Sequence, residues 1–326
     1  MARPVETVSG RHSDAAFAVH ETRVDSFEQL RAATPTSSSD IIQIEAGRMR
    51  GRLKHASLAG LSLGFGHFSH GLISRGVYSK DRVTIGFLFE GRTRRAGPIG
   101  MVRTWSPGTE HQRRYHGGAS FGGISVSPDD LSHTFGPDSR LGDPAAWQRQ
   151  YSFRDDPQTG AAAADAFRSI MSAFESRTAA ITAGHAEFWK RAILEAATAA
   201  ITIADESKVF TPAPRKLVRA AQEVIAQSDA VPIHLSELVT ALRVSRRSLH
   251  RAFDDVLGIS PMKYLRHRRL CEARIMLRER SDPDLTVADV AFRQGFSDCG
   301  RFAGYYRALF GENPSDTMRA TRPLAR

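Results

Sequence analysis

The sequence predicts an α+β protein with a β-rich N-terminal half and an all-α C-terminal domain. Short apolar segments rich in β-forming residues, separated by Gly and Pro, lie between residues 41 and 126. Helix-forming residues dominate after Pro157, and a helix–break–helix pattern occurs twice, at Leu235–Gly258 and Leu285–Gly311. The change from strand signals to helix signals predicts two domains in a chain of 326 residues.

The N-terminal half contains short strand candidates separated by turn residues such as Gly97-Pro98 and Pro107-Gly108. The candidates are Ile41–Ile44, Leu58–Leu63, Val83–Phe89, Met101–Trp105 and Ala119–Val126. Strands at this spacing are typical of a small barrel or sandwich, here of a cupin-like type. Before them, we expect a flexible tail over residues 1–25, a short helix at Phe27–Ala33 and a loop at Thr34–Asp40.

Helical periodicity begins after the strands. Ala161–Ala183 and Ala186–Ala204 are predicted helices, residues 206–214 a linker and Arg215–Gln227 a further helix. The first of these helices carries an apolar stripe of Phe167, Ile170, Met171, Phe174, Thr178 and Ile181. The stripe is either a dimer contact or an ordinary face covering the barrel. The predicted domains are therefore residues 26–205 and residues 215–326.

Charge and cysteine content restrict the class of protein. The net charge is +10, and residues 211–326 hold 20 Lys and Arg against 13 Asp and Glu, so most of the excess lies in the helical domain. Cys271 and Cys299 have no metal or disulfide spacing, as expected in a reducing compartment. No signal peptide is evident, and Ala192–Ala204 is too short to span a bilayer, so we expect a cytoplasmic protein without a membrane partner.

The first repeated unit, about residues 235–257, has the features of a helix-turn-helix motif. Ser236 is the expected N-cap of Glu237–Leu242, and Ser245 that of the second helix. The second helix buries a stripe of Leu249, Ala252, Phe253 and Val256. Its opposite face supplies the candidate DNA contacts Ser245, Arg246, Arg247, Ser248, His250 and Arg251. An isolated helix would carry such arginines for solvation alone, but a repeated motif favours base reading.

The second unit, about residues 285–309, repeats this plan. Thr286 is the expected cap of Val287–Arg293, Gly295 suits a turn with positive φ, and the next helix is expected to start near Ser297. Its candidate DNA contacts are Ser297, Asp298, Cys299, Arg301, Gly304 and Arg307. We expect Arg301 to read a base and Arg307 to meet phosphate. Gly300 and Gly304 either permit close approach to the DNA backbone or weaken the helix.

A long helix, Pro261–Arg280, connects the two units. Twenty helical residues extend about 30 Å, close to the roughly 34 Å that separates successive major grooves on one side of B-DNA. The inward positions are Tyr264, Leu265, Leu270, Ala273 and Leu277. Arg268 and Arg274 on this helix are the expected phosphate contacts.

Over about residues 215–320 the chain resembles the AraC/XylS family of bacterial transcription regulators. The resemblance rests on Ser245-x3-Leu249-x-Arg251-x-Phe253, Gly258-Ile259-Ser260-Pro261-x2-Tyr264, Arg269-Leu270-x2-Ala273, Val290-Ala291-x3-Gly295-Phe296-Ser297 with Phe302, and Phe310-Gly311-x2-Pro314. The chain departs from the family pattern at Val239, Arg243, Gly304 and Tyr306. The resemblance implies recognition helices in consecutive major grooves of double-stranded promoter DNA, RNA polymerase as a partner, and an N-terminal domain that binds a small-molecule effector or forms a homodimer.

The N-terminal half shows no pattern typical of an enzyme. Its histidines, His55, His67, His70, His111 and His116, lack a His-x-His pair, and His67-x2-His70 is best explained by a polar loop. Glu110-His111 either lines an effector pocket or is turn polarity, and Cys271 is expected to be buried and inert. We therefore predict no metal, no cofactor and no catalysis.

The leading hypothesis is a sequence-specific transcription activator switched by a small molecule. The alternatives are a repressor, a constitutive architectural DNA binder, and a metal-dependent β-barrel enzyme fused to a DNA-targeting domain.

Overall fold

A computed structural model describes residues 17–33, 40–90, 102–136, 138–148, 157–175, 182–199, 201, 213–228, 232–279, 282 and 284–320. In the N-terminal half the elements are β1 (Phe17–Val24), α1 (Phe27–Ala33), β2 (Asp40–Gln43), β3 (Gly51–Leu58), β4 (Leu61–Phe68), β5 (Leu72–Val77), β6 (Val83–Glu90), β7 (Val102–Trp105), β8 (Glu110–Tyr115), β9 (Ala119–Val126), α2 (Pro128–Phe135), α3 (Pro144–Gln148), α4 (Pro157–Glu175) and α5 (Ala183–Thr198). In the C-terminal half they are α6 (Ala213–Gln227), α7 (Leu235–Leu242), α8 (Arg246–Leu257), α9 (Pro261–Glu279), α10 (Val287–Arg293), α11 (Cys299–Phe310) and α12 (Pro314–Arg319).

The β domain consists of two antiparallel sheets that face each other. The large sheet has the order β1-β3-β4-β9-β6-β7, and the small sheet the order β2-β5-β8. Tyr115 of the small sheet contacts Phe121 of the large sheet, with ring centroids 4.9 Å apart. The other face of the large sheet is apolar, with buried Leu63, Ile85 and Ile124, and packs against α2–α5. The α+β class and the predicted barrel or sandwich are confirmed.

Several strand predictions need correction. Residues 17–24 form β1, paired with β3, where the sequence predicted a loose tail. The expected strand Leu58–Leu63 is instead a hairpin, because Ala59 and Gly60 adopt positive φ values of 43° and 86° and turn the chain. Strands β3, β5 and β8 were not predicted. Strand β8 consists of polar residues and Tyr115 and lacks an apolar alternation.

The helix prediction Ala161–Ala183 also needs correction. Helix α4 runs from Pro157 to Glu175, and α5 begins at Ala183. Phe167 and Met171 are buried, and Phe167 stacks on Phe87 of the large sheet at 4.9 Å. This part of the stripe therefore packs within the chain. The side chain of Phe174, the residues Thr178 and Ile181, and linker residues 206–212 lie outside the described structure.

The connector helix α9 lies between the two halves of the molecule. The predicted inward residues Tyr264, Leu265, Leu270, Ala273 and Leu277 are all buried. They belong to one apolar cluster that also contains residues of α1 and β2, so the β domain packs directly on the helical domain. Across the described residues, no helix is both long and apolar enough to cross a membrane.

Candidate nucleic-acid interface

The first helix-turn-helix unit is α7 and α8. Helix α7 begins at Leu235, two residues earlier than expected for a Ser236 cap. His234 is the N-cap, and its backbone N–H donates to Glu237 at 3.0 Å in a capping box. Leu238 is fully buried under the unit. The turn passes through Arg243, which adopts the left-handed conformation with φ 52°. This residue stands where the sequence departs from the family's usual Gly.

Helix α8 separates an inner apolar face from an outer polar face. Ser245 caps it as predicted, accepting from the Ser248 N–H at 3.0 Å. Leu249, Ala252 and Phe253 are buried. The predicted contact residues Ser245, Arg246, Arg247, Ser248, His250 and Arg251 are all exposed. Because these side chains point away from the core, they are free to contact a groove of DNA.

The second unit is α10 and α11. Thr286 caps α10 as predicted, in a capping box with Asp289. Gly295 has φ 73°, and a Cβ there would lie 3.0 Å from Pro232, so both conformation and space require glycine. Phe296 then packs on Phe302, with ring centroids 5.1 Å apart. The turn thus positions α11 against the hydrophobic core of the helical domain.

Helix α11 begins at Cys299, two residues after Ser297, near which its start was predicted, and Asp298 caps it. The Asp298 carboxylate accepts from the Arg301 N–H at 2.9 Å and lies 3.7 Å from the Arg301 guanidinium. Asp298 therefore has a structural role in addition to any DNA contact. Ser297, Asp298, Cys299, Arg301, Gly304 and Arg307 are all exposed, while Phe302 and Tyr306 are buried.

The outer face of α8 carries unneutralised positive charge. Within the described chain, no ion pair holds Arg246 or Arg247. The Arg251 side chain lies 3.9 Å from Asp255, at the limit of an ion pair, and is 84% exposed. Such an exposed pair contributes little and leaves the guanidinium available to phosphate or base. This electrostatic pattern suits a polyanion.

The prediction that Arg274 contacts phosphate is wrong for this structure. Arg274 is 4% exposed and its guanidinium binds Glu28 of α1 at 2.9 Å and Glu312 at 3.0 Å. Burial alone would raise the pKa of Glu28, but the charge and hydrogen bond of Arg274 outweigh it and lower that pKa. Arg274 therefore joins the two domains.

Arg268 is half-buried and lines a cleft of about 850 Å³ together with Asp40 and Arg75 of the β domain. Its contact with phosphate stays a prediction.

Gln43 is a buried contact between the two domains that the sequence analysis missed. Its side-chain amide donates to the Leu309 carbonyl of α11 at 2.8 Å, and its own carbonyl accepts from His267 Nδ1 of α9 at 3.1 Å. Gln43 is 1% exposed and interrupts the apolar run Ile41-Ile42-Gln43-Ile44. A polar residue in such a run signals a buried hydrogen-bonding position. Burial also lowers the pKa of His267 to about 4.

Cys271 is buried as predicted, and burial raises the pKa of its thiol. Among the described residues, no group of His, Cys, Asp and Glu has the arrangement of a metal site.

Comparisons with known proteins match the helical domain. Residues 238–320 match the helix-turn-helix domain family. The XylDLEGF operon transcriptional activator of Pseudomonas putida is 39% identical over 87 residues, which are 27% of each protein. The regulator GbdR of Pseudomonas aeruginosa is 38% identical over 106 residues, which are 32% of this chain and 28% of GbdR.

A solved structure, a probable AraC family transcriptional regulator from Rhodopseudomonas palustris CGA009, is 36% identical. The match covers 33% of this chain and 99% of that one, with a TM-score of 0.31. The chain thus spans little more than a quarter of the length of the two curated regulators. The residues matched by the family model, 238–320, include α8 and α11.

Proposed function

Because the chain belongs to the AraC/XylS family of transcriptional regulators, we propose that it binds a specific promoter sequence through α8 and α11 together. The observation that carries this proposal is the division of both helices into a buried apolar face and an exposed face. The exposed faces hold Arg246, Arg247 and Arg251 on α8 and Arg301 and Arg307 on α11. We assign base reading to residues near the start of each helix and phosphate binding to Arg307.

The regulator is further proposed to be an activator that recruits RNA polymerase and responds to a small-molecule effector. The relatives named as activators support the direction of control. The contacts of the β domain with α9 and α11, through Gln43, Glu28 and Arg274, favour an effector-controlled switch over a constitutive DNA binder. A change in the β domain would reach the second recognition helix through these contacts. A homodimer would bind DNA with higher affinity, because it links two DNA-binding domains.

The central test is the effect of Arg247→Ala on sequence preference. Binding sites are first selected from random double-stranded DNA with the full chain, and the variant is then compared on single-base variants of the selected site. We expect the variant to lose about 1–3 kcal/mol of discrimination at one base pair, because an Arg reads guanine through two parallel hydrogen bonds.

The matched control is Arg307→Ala on the other recognition helix. This variant should weaken binding to all sequences about equally and reduce the dependence of affinity on salt, since a phosphate contact carries no sequence information. Unchanged base preference in Arg247→Ala would refute the assignment of this face, and failure to select any site would refute the proposed function.

A further inference from the structure

The β domain contacts the C-terminal ends of both recognition helices. Arg114 of β8 donates to the Leu257 carbonyl at the end of α8, with 2.6 Å between Nη1 and the oxygen. At the end of α11, the Leu309 carbonyl accepts from the Gly47 N–H at 3.0 Å and from the Gln43 side chain at 2.8 Å. Both carbonyls belong to the last turn of a helix, where no intrahelical N–H donor remains. The β domain therefore supplies hydrogen-bond partners that the two helices cannot supply themselves.

A glycine after each recognition helix lets the β domain approach closely. Gly258 and Gly311 end α8 and α11 with φ values of 62° and 73°. A Cβ at Gly258 would overlap the Arg114 guanidinium, and one at Gly311 would lie 3.2 Å from the backbone nitrogen of Arg48. The same arrangement, a left-handed glycine beside a β-domain contact, thus occurs at the end of both repeated units. Its recurrence indicates a role that the two units share.

The small sheet carries the contacts to both helices. Strands β2 and β8 flank β5, and Ile42, Ile73 and Arg114 form one row across the three strands. Ile42 and Ile73 belong to the same apolar cluster as Phe253 of α8. Strands lie about 4.8 Å apart, so this row spans roughly 10 Å. Because Gln43 follows Ile42 on β2, the backbone hydrogen bonds of one sheet fix the separation of Gln43 and Arg114.

Charge also favours Arg114 at the end of α8. The C-terminus of a helix carries partial negative charge. The carboxylates of Glu45, from the β domain, and of Asp254, from α8, add negative charge near the Arg114 guanidinium. Arg114 is therefore attracted to groups of both domains, and a neutral side chain of similar size would lose this attraction together with the hydrogen bond.

A small tilt of a recognition helix changes the base pairs that it meets. Helix α8 has 12 residues and is about 18 Å long. Its base-reading residues lie near its start, whereas Arg114 holds its end. If the end were released, a tilt of about 10° would move the start by about 3 Å, close to the roughly 3.4 Å between successive base pairs. The same reasoning applies to α11, which also has 12 residues.

We propose that Arg114 is a positioning residue that, together with Gln43 and Gly47, sets the separation of α8 and α11. The protein is thereby selective for the number of base pairs between the two DNA segments that it reads. Helix α9 links the two units along the chain, and the small sheet fixes them a second time from the side of the β domain. The inference rests on the proposed function and adds the residues that determine its spacing specificity.

The first experiment varies the spacing of the DNA site and uses the purified full chain. The segment read by each helix is identified by the base preference lost in Arg247→Ala on α8 and Arg301→Ala on α11. One base pair is then inserted or removed between the segments. Each change should weaken binding of the unmodified chain at least about tenfold, the cost of a lost base contact, and of Arg114→Met less than about threefold, because α8 can then tilt. Base preference within each segment should stay the same in Arg114→Met.

Two matched variants control this experiment. Arg114→Lys keeps a charged donor and should keep most of the spacing preference. Arg31→Met removes another arginine of the domain interface, which lies 3.5 Å from Glu272 in the middle of α9, and should leave the spacing preference unchanged. An unchanged preference in Arg114→Met, an equal loss in Arg31→Met, or equal weakening at every spacing would overturn the proposal.

A second measurement follows the two helices without DNA. Cys299 of α11 is exposed and Cys271 is buried, so a spin label attaches at Cys299, and His250→Cys on the outer face of α8 provides the second attachment point. Double electron–electron resonance measures the distribution of distances between the labels. Adding Arg114→Met should broaden this distribution, and adding Arg31→Met should not. An unchanged width with Arg114→Met would overturn the positioning role.

The two measurements separate this inference from the proposed function. Selection of a DNA site with an unchanged spacing preference in Arg114→Met removes only this inference. A broadened distance distribution in a chain that selects no DNA site removes the proposed function and leaves the positioning role of Arg114 standing.

Discussion

Arg243 shows how a single residue can set the turn of a helix-turn-helix unit at a cost in stability. It is the C-cap of α7 and has φ 52°, a conformation that crowds Cβ against the backbone. We expect Arg243→Gly to raise the free energy of unfolding by about 1 kcal/mol, because glycine adopts this conformation without the penalty. Urea unfolding at constant pH measures the change. Arg243→Lys keeps the strained φ and should gain nothing; an equal gain in both variants would mean that strain is not the cause.

For single residues, the sequence predicted which side chains are exposed better than it predicted which polar side chains pair with each other. The arginines of α8 were predicted to point outward because Leu249, Ala252 and Phe253 mark the inner face, and the structure agrees. Arg274 was expected to face phosphate, yet its partners Glu28 and Glu312 are 246 and 38 positions away in the chain. Helical periodicity reports which face is apolar, and it does not reveal a buried ion pair with a distant element.

Helix α11 depends on its cap. The Asp298 carboxylate accepts the Arg301 N–H, one of the donors left free at a helix N-terminus. Asp298→Ala should lower the free energy of unfolding by about 1 kcal/mol, and Asp298→Asn, which can still cap, should lower it much less. Chemical unfolding monitored by circular dichroism compares the two. If both variants lost the same amount, the charge of Asp298, and not its capping hydrogen bond, would be responsible.

The elements of the helical domain were easier to predict than those of the β domain for a physical reason. Each helix of the motifs has one buried stripe and a capping residue, and both signals are local in sequence. Strand β8 has His111 and Arg113 on the face that points to the large sheet, as Tyr115 does. Arg114 lies on the other face and donates to the Leu257 carbonyl of the helical domain at 2.6 Å. Because polar side chains lie on both faces of β8, the strand carries no alternation of apolar and polar residues.

The contact between the two domains should respond to acid. Burial holds the pKa of His267 near 4, against an ordinary value of 6.5. The unfolded chain therefore takes up a proton at this residue between pH 6.5 and 4, while the folded chain does not, so stability falls as the pH is lowered through that range. One such histidine contributes at most about 1.4 kcal/mol per pH unit. Lys263 and Arg266 add positive charge nearby and act in the same direction.

Urea unfolding at pH 7 and pH 5 measures this effect. His267→Gln can still donate to the Gln43 carbonyl and does not titrate, so it should lose less stability between the two pH values than the unmodified chain. The exposed His185→Gln is the control and should lose as much as the unmodified chain. Equal losses in all three proteins would show that His267 is not responsible.

The carbonyl of Leu309, near the end of the second recognition helix, accepts hydrogen bonds from the Gly47 N–H at 3.0 Å and from the Gln43 side chain. A fragment cut to leave only the helical half would lose both donors and would uncover the flank of α9 that β2 now shields. Such a fragment would fray at this helix end and would aggregate more readily than the intact chain. DNA affinities measured on such a fragment would describe a second recognition helix that is less ordered than in the intact chain.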